Sequence, residues 1–89
     1  MNSTNDKIKA VRELVGLSQS KFGQLMGVSQ TSIALWEKGE RKPPRLYQFF
    51  IESLSTKILS YPQNERKSVM QYNIENMSPK KFTEWVFQN

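Results

Sequence analysis

The 89-residue chain contains no cysteine and no histidine. Without these residues it forms no disulfide bond, has no thiol nucleophile and lacks the usual ligands of zinc and haem. We therefore expect no metal and no cofactor. No catalytic residue is expected either, because the sequence also lacks a glycine loop for phosphate and a suitably spaced pair of carboxylates. These absences argue against an enzyme.

Long apolar runs are missing as well. No stretch approaches the about 20 apolar residues that a membrane span needs, and the N-terminal MNSTNDK is polar, unlike a signal peptide. Since the lack of cysteine also fits a reducing compartment, we expect a cytoplasmic protein with no membrane contact. A chain of 89 residues is long enough for one small core of modest stability, which a partner subunit would raise.

Positive charge is in excess and is unevenly distributed. The net charge is +5, of which residues 1–45 carry +4 and residues 46–89 carry +1. A basic surface attracts polyanions, and nucleic acid is the ordinary polyanion of a cytoplasm. Many small proteins are basic without binding nucleic acid, so charge alone leaves the partner open.

The stretch from Leu17 to Pro44 predicts two short helices joined by a tight turn. Ser18 is a favourable N-cap for a helix that starts at Gln19, and Gly27 tolerates the positive φ at which such a helix ends. Ser29 caps the second helix, which starts at Gln30 and ends at Gly39. The apolar residues expected to face the core are Phe22, Leu25 and Met26 in the first helix and Ile33 and Trp36 in the second.

Two helices this short need neighbours to form a core. A period of 3.6 residues predicts a helix capped by Asp6 before them, and a helix from Leu46 to Leu59 after them. The first uses the apolar residues Ile8, Val11, Leu14 and Val15; the second uses Leu46, Tyr47, Phe50, Ile51, Leu54 and Ile58, with Phe49 and Leu59 widening its apolar stripe. A further helix capped by Asn64 uses Val69, Met70, Ile74 and Met77, and a last one starts at Ser78 and Pro79.

Several features of the central stretch occur together. They are the segment Gly16-Leu17-Ser18-Gln19, the small residue Gly23 within the first helix, the turn Gly27-Val28-Ser29, and the run Ile33, Trp36, Glu37, Lys38 and Gly39 that ends in Pro43-Pro44. In this combination the chain resembles the Cro and phage-repressor type of helix-turn-helix, the Xre-like family, over about half its length. The resemblance implies an all-α fold, a small helical bundle with a lambda-repressor-like helix-turn-helix and extra C-terminal helices. The expected organisation is a DNA-binding domain of residues 1–60 followed by a helical extension of residues 61–89.

Arg12 falls on the apolar side of the first helix, where an unpaired guanidinium is unfavourable. The resemblance implies that Arg12 forms a buried structural ion pair with Glu37 at the end of the second motif helix. The alternative is that both residues are solvated surface charges.

The resemblance also implies that the helix starting at Gln30 enters the major groove, with its N-terminal residues at the base edges. Gln30 donates and accepts together, which matches the edge of adenine, and Thr31 and Leu35 offer methyl contacts to thymine. The candidate base-contacting residues are Gln30, Thr31, Ala34, Leu35 and Lys38.

Phosphate contacts are expected from two places. Gln19 resembles the residue with which the family anchors a phosphate at the start of the first motif helix. The loop from Glu40 to Arg45 is stiffened by Pro43 and Pro44 and holds its cations beside the DNA backbone, unless it is merely a solvated charged loop. The candidate phosphate-contacting residues are Ser18, Gln19, Lys21, Ser32, Arg41, Lys42 and Arg45.

Five aromatic residues lie between Tyr61 and Asn89, more than the underside of a small core requires. They either face a second chain or cap the core of their own chain. The residues of this candidate dimer or partner interface are Phe82, Trp85, Val86 and Phe87.

These observations favour a sequence-specific DNA-binding transcriptional regulator that binds double-stranded DNA. The expected form is a homodimeric repressor or controller of a phage, plasmid or other mobile element, which recognises a palindromic operator. The alternative is the antitoxin of a toxin-antitoxin pair, which binds its toxin partner through the C-terminal helices and regulates its own operon.

Overall fold

The structure, a computed structural model, describes residues 3–66, 74 and 76–88. Within these ranges the regular elements are five α-helices, and no strand is present. They are α1 (Ser3–Leu14), α2 (Gln19–Met26), α3 (Gln30–Lys38), α4 (Arg45–Leu59) and α5 (Pro79–Phe87). Residues 63–66 are helical as well. The predicted all-α fold is confirmed.

Serine side chains cap three of the helices. The Oγ of Ser18 accepts a hydrogen bond from the backbone N–H of Lys21 at 3.0 Å, and the Oγ of Ser29 accepts one from the N–H of Ser32 at the same distance. Ser78 caps α5 in the same way, ahead of Pro79 at the first helical position. Each cap satisfies a backbone donor that the first turn of a helix leaves without a partner, so these helices start where the sequence predicts.

Other predicted helix starts were wrong by a few residues. Helix α1 begins at Ser3, so Asp6 lies within its first turn and not at its cap. Helix α4 begins at Arg45, directly after Pro44, which carries no side chain able to cap it. Asn64 lies inside the helical stretch that starts at residue 63. The predicted core residues Val69 and Met70 lie outside the described residues.

The core is built by all five helices. Helix α1 packs against α3 and α4, α2 packs against α3, and α5 packs against both α2 and α4. The side chains buried at the centre are Ile8, Val11 and Val15 of α1 and its end, Phe22 and Leu25 of α2, Ile33 and Trp36 of α3, Phe50, Ile51, Leu54 and Ile58 of α4, and Ile74, Phe82 and Val86. Burying one such side chain contributes roughly 1.5 to 3 kcal/mol. Most of these buried side chains lie outside α2 and α3, so the neighbouring helices contribute most of the apolar burial.

The predicted apolar stripe of α4 is too wide. Leu46 is 67% exposed, Phe49 is 61% exposed and Leu59 is 59% exposed. Only the middle of the stripe, which lies between α1 and α5, faces the core. Leu14, at the end of the α1 stripe, is also exposed. Among the described residues, no helix combines the length and the apolarity needed to cross a membrane.

Candidate nucleic-acid interface

The turn between α2 and α3 brings the two helices close together. Gly27 adopts a left-handed conformation with a φ of 77°, which ends α2 and turns the chain towards Ser29. Within α2, a Cβ added to Gly23 would lie 2.7 Å from the carbonyl oxygen of Val28, and the backbone N–H of Val28 donates to the carbonyl of Gly23 at 2.9 Å. Only glycine permits this approach, and the approach fixes the direction in which α3 leaves the turn.

One side of α3 holds the helix to the core. Ile33 and Trp36 are buried, and the ring of Trp36 lies 5.4 Å from that of Tyr47 in α4. Trp36 is therefore a core residue and is not available to stack on a base. This packing determines which side of α3 remains at the surface.

The other side of α3 carries the candidate base-contacting residues. Gln30, Thr31 and Lys38 are exposed, while Ala34 and Leu35 are half-buried. No hydrogen bond or ion pair among the described residues uses the side chain of Gln30, Thr31 or Lys38. The structure thus brings all five residues onto one helix and leaves the polar ends of three of them free.

The candidate phosphate-contacting residues occupy three places around α3. Ser18, Gln19 and Lys21 lie at the start of α2, and Ser32 lies in the first turn of α3. The third place is the exposed loop after α3, which carries Arg41 and Lys42, together with exposed Arg45 in the first turn of α4. Arg45 was predicted as a loop residue, and the helix that begins there holds it more firmly than a loop would.

The basic loop has an anchor that the sequence pattern did not reveal. Pro43 is buried, and its carbonyl oxygen accepts a hydrogen bond of 2.8 Å from Nε2 of Gln48 in α4. At the other end of the loop, the backbone N–H groups of Glu40 and Arg41 donate to the carbonyl of Leu35 in α3. Hydrogen bonds therefore connect both ends of the basic loop to the helical bundle. The sequence shows that Gln48 lies in the first turns of a helix that follows a proline loop. It does not show that Gln48 contacts Pro43, because that contact depends on the conformation of the loop.

Arg12 and Glu37 meet as the sequence analysis expected. Nε of Arg12 donates to one carboxylate oxygen of Glu37 at 2.6 Å and Nη2 donates to the other at 3.0 Å, while Nη1 donates to the carbonyl of Leu17 at 2.9 Å. The side chains are only 12% and 5% exposed, so they are not solvated surface charges. The pair joins the end of α1 to the end of α3, and through Leu17 to the loop before α2.

Glu37 has a third hydrogen bond that the sequence did not indicate. Nε2 of Gln19, the candidate phosphate anchor, donates to Oε1 of Glu37 at 3.0 Å. Burial raises the pKa of Glu37, but the hydrogen bonds from Arg12 and Gln19, with the charges of Arg12 and Lys9, outweigh burial and leave that pKa below its ordinary value. The hydrogen bond with Glu37 likewise raises the pKa of Arg12 against the opposing effect of burial. Both residues are therefore charged at neutral pH.

The predicted dimer or partner interface needs correction. Phe82 and Val86 are buried within the core of their own chain, and the ring of Phe82 lies 5.7 Å from that of Phe50. Trp85 is half-buried, and Lys57 lies over its ring at 5.3 Å. Only Phe87 of the four remains substantially exposed, at 44%. Phe82 and Val86 thus cap the core of their own chain, because α5 packs against α2 and α4.

The fold and this surface define a helix-turn-helix unit with a free polar face on its second helix. Residues 8–45, which run from α1 to the first residue of α4, match the family model described as helix-turn-helix. Over these residues the chain is similar to the Cro/C1-type, Xre-like helix-turn-helix family. The members of that family are DNA-binding regulators rather than enzymes, and the match supports a DNA-binding regulator here. Searches of curated proteins and of solved structures returned no match.

Proposed function

We propose that this protein is a transcriptional repressor that binds a palindromic operator as a homodimer. The observation that carries the proposal is the division of α3 into a buried side, with Ile33 and Trp36, and a side on which polar residues stand free. An α-helix is about 10 to 12 Å in diameter with its side chains, so α3 fits a major groove about 12 Å wide. The role that we propose for this repressor is that of a controller of a phage, plasmid or other mobile element.

The proposed reading of DNA assigns each group a chemical task. Gln30 forms a bidentate contact with adenine, Thr31, Ala34 and Leu35 offer apolar contacts to the thymine methyl group, and Lys38 reaches guanine or a phosphate. The other candidates, Ser18, Gln19, Lys21, Ser32, Arg41, Lys42 and Arg45, hold the protein on the DNA backbone. The excess charge of +4 in residues 1–45 supports this assignment, since it lies in the part of the chain that contains α3.

Selection of bound duplexes from a random pool tests whether the protein binds DNA in a sequence-specific way. We expect an enriched palindrome with A/T-leaning half-sites whose centres lie one helical turn apart, about 10 base pairs, or a multiple of that distance. A selection that enriches no sequence would reject sequence-specific binding, while an enriched site without two-fold symmetry would reject the dimer alone.

For the dimer, we propose that a second copy covers the apolar residues left exposed on α4 and α5. Leu46 and Phe49 lie one turn apart on α4, and the ring of Phe49 stacks on that of Phe87 at 5.7 Å with an angle of 15° between the planes. Leu46 directly follows the basic residue Arg45. A copy docked here would lie close to the start of α4, which directly follows the basic loop, and we propose that two copies arranged in this way share one operator.

Light scattering on the full chain tests this face. We expect a dimer for the wild type, a monomer for Phe49→Glu, and a dimer for the matched control Leu59→Glu, which introduces the same charge at an equally exposed apolar residue of the same helix. If only Leu59→Glu disrupts the dimer, the interface is the groove between α1 and α4 that Leu14, Ile58 and Leu59 line. A wild-type monomer that co-purifies with the product of a neighbouring gene would favour the antitoxin alternative.

A further inference from the structure

Glu37 connects three parts of the chain through one carboxylate. One oxygen accepts from Nε of Arg12, while the other accepts from Nη2 of Arg12 and from Nε2 of Gln19, both at 3.0 Å. With a side chain only 5% exposed, Glu37 is not placed to touch DNA. It nevertheless contacts the side chain of Gln19, which is half-buried and therefore reaches the surface.

The chemistry of the amide makes this contact directional. A glutamine side chain offers two N–H donors and one carbonyl acceptor, whereas an ionised carboxylate only accepts. Glu37 therefore selects the NH₂ end of Gln19 and disfavours the flipped amide, in which two oxygens would face each other. One N–H is used by Glu37, and the second N–H of the same group points away from the carboxylate.

The charge of Glu37 is compatible with a phosphate nearby. An isolated carboxylate would repel the DNA backbone, but Arg12 binds Glu37 with two hydrogen bonds and neutralises it. The position of Gln19, the first residue of α2, is also favourable, because a helix N-terminus presents free N–H groups and a partial positive charge to an anion.

We infer that Glu37 is a positioning residue for DNA binding, which holds the amide of Gln19 so that its second N–H donates to a backbone phosphate. This inference rests on the proposed function, and it assigns to the buried ion pair a role in affinity that is separate from stability. Replacement of Glu37 then weakens DNA binding through Gln19, and only when Gln19 is present.

The test uses five chains in anisotropy titrations with a cognate and a random duplex: wild type, Gln19→Ala, Gln24→Ala, Arg12→Met/Glu37→Leu, and the triple variant that combines Gln19→Ala with the paired substitution. The paired substitution removes both charges and so leaves no unpaired buried ion. Gln24→Ala, an exposed glutamine of the same helix, is the matched control for Gln19→Ala. Urea unfolding of each variant establishes that it is folded under the conditions of the titration.

We expect Gln19→Ala to weaken binding to both duplexes about tenfold, the effect of one hydrogen bond to a charged group. The paired substitution should weaken binding by a similar factor when Gln19 is present and by less than twofold in the triple variant. The inference is wrong if the paired substitution has the same effect in both backgrounds, or if Gln19→Ala has no more effect than Gln24→Ala.

A second measurement on the wild-type chain does not depend on any variant folding. In the NMR spectrum, addition of DNA should shift one side-chain amide proton of Gln19 and leave the proton bound to Glu37 protected. No shift of either proton would overturn the inference. If the wild type binds both duplexes equally, sequence-specific recognition fails while the variants still test Gln19; if it binds neither duplex, both proposals fail.

Discussion

At the scale of single residues, the buried ion pair between Arg12 and Glu37 joins α1 to α3 within the motif. Two charges removed from water are costly unless each finds enough hydrogen-bonding partners. Arg12 meets this condition with Glu37 and the carbonyl of Leu17, and Glu37 meets it with Arg12 and Gln19. The charges are thus retained in an otherwise apolar interior, where they connect α1, α2 and α3.

Replacing one residue of the ion pair should destabilise the fold, because the charge of the other residue then remains buried without a partner. We expect Glu37→Ala to lower the free energy of unfolding by about 3 kcal/mol, because it leaves the guanidinium of Arg12 largely buried and unpaired. Arg12→Met with Glu37→Leu should recover most of this loss, but not all of it, because the carbonyl of Leu17 loses its donor. Urea unfolding measures both. A loss below about 1 kcal/mol for Glu37→Ala would show that the pair behaves as an ordinary surface pair.

The lowered pKa of Glu37 predicts how the pair responds to acid. Because the folded chain holds this carboxylate ionised to lower pH than the unfolded chain does, its contribution is complete above the unfolded value of about 4.3 and is lost as the pH falls through the folded pKa. We expect the difference in unfolding free energy between Glu37→Ala and the wild type to shrink below that pH. Urea unfolding at a series of acidic pH values measures it, and a difference that stays constant or grows would contradict the assignment.

At the scale of elements, the angle between α2 and α3 depends on the close approach at Gly23. We expect Gly23→Ala to destabilise the fold by about 1 to 3 kcal/mol, because the new Cβ would lie 2.7 Å from a backbone oxygen that cannot move without shifting the turn. The higher helix propensity of alanine, worth about 1 kcal/mol, opposes this loss. Gln24→Ala in the same helix is the control and should have little effect on thermal unfolding. A Gly23→Ala variant as stable as the wild type would mean that the turn adapts easily.

The elements of the motif could be predicted from the sequence because their signals are local. Ser18, Ser29 and Ser78 cap helices through their own first turns, so their neighbours in sequence suffice to place them. The start of α1 was missed, because Ser3 to Asn5 carry no apolar residue that would show the helical period.

Contacts between distant residues were harder to predict. The hydrogen bonds from Gln19 to Glu37 and from Gln48 to Pro43 depend on how helices and loops meet, which no local pattern contains. The exposure of Phe49 and the burial of Phe82 were difficult to predict for the same reason. Periodicity identifies the apolar face of a helix, but it does not show how much of that face the neighbouring helices cover. The five residues on the free side of α3 were placed on one helix by the period alone, and their contacts with DNA remain a prediction.

At the scale of the whole molecule, α5 belongs to the core that supports the motif. Phe82 is buried and packs near Phe50, while Lys57 of α4 donates to the carbonyl of Gln88 at 2.8 Å. Residues 1–60 alone would therefore expose part of the apolar surface of α2 and α4. Helix α5 therefore covers apolar surface of both α2 and α4.

Shortening one side chain of α5 tests this dependence. We expect Phe82→Ala to lower the free energy of unfolding by about 3 to 5 kcal/mol, since it removes a fully buried aromatic ring and leaves a cavity. Thr83→Ala, at an exposed neighbouring residue, is the control and should change stability by less than about 1 kcal/mol. Thermal unfolding followed by circular dichroism measures both, and equal stability of the two variants would mean that α5 is not part of the cooperative core.

A salt titration of DNA affinity separates the two proposed roles, in which α3 reads base edges and the basic loop binds phosphates. Anisotropy is measured for the wild type, Gln30→Ala, Lys42→Ala and the charge-matched control Lys80→Ala of α5, each with a cognate and a random duplex. Gln30→Ala should cost about 1 to 3 kcal/mol on the cognate duplex and leave random binding nearly unchanged.

Lys42→Ala should instead weaken both duplexes and lower the slope of log affinity against log salt by about 0.9, the value for one lost phosphate contact, whereas Lys80→Ala should change the slope less. Loss of affinity for both duplexes alike in Gln30→Ala would contradict the claim, because α3 would then not be the helix that reads the sequence.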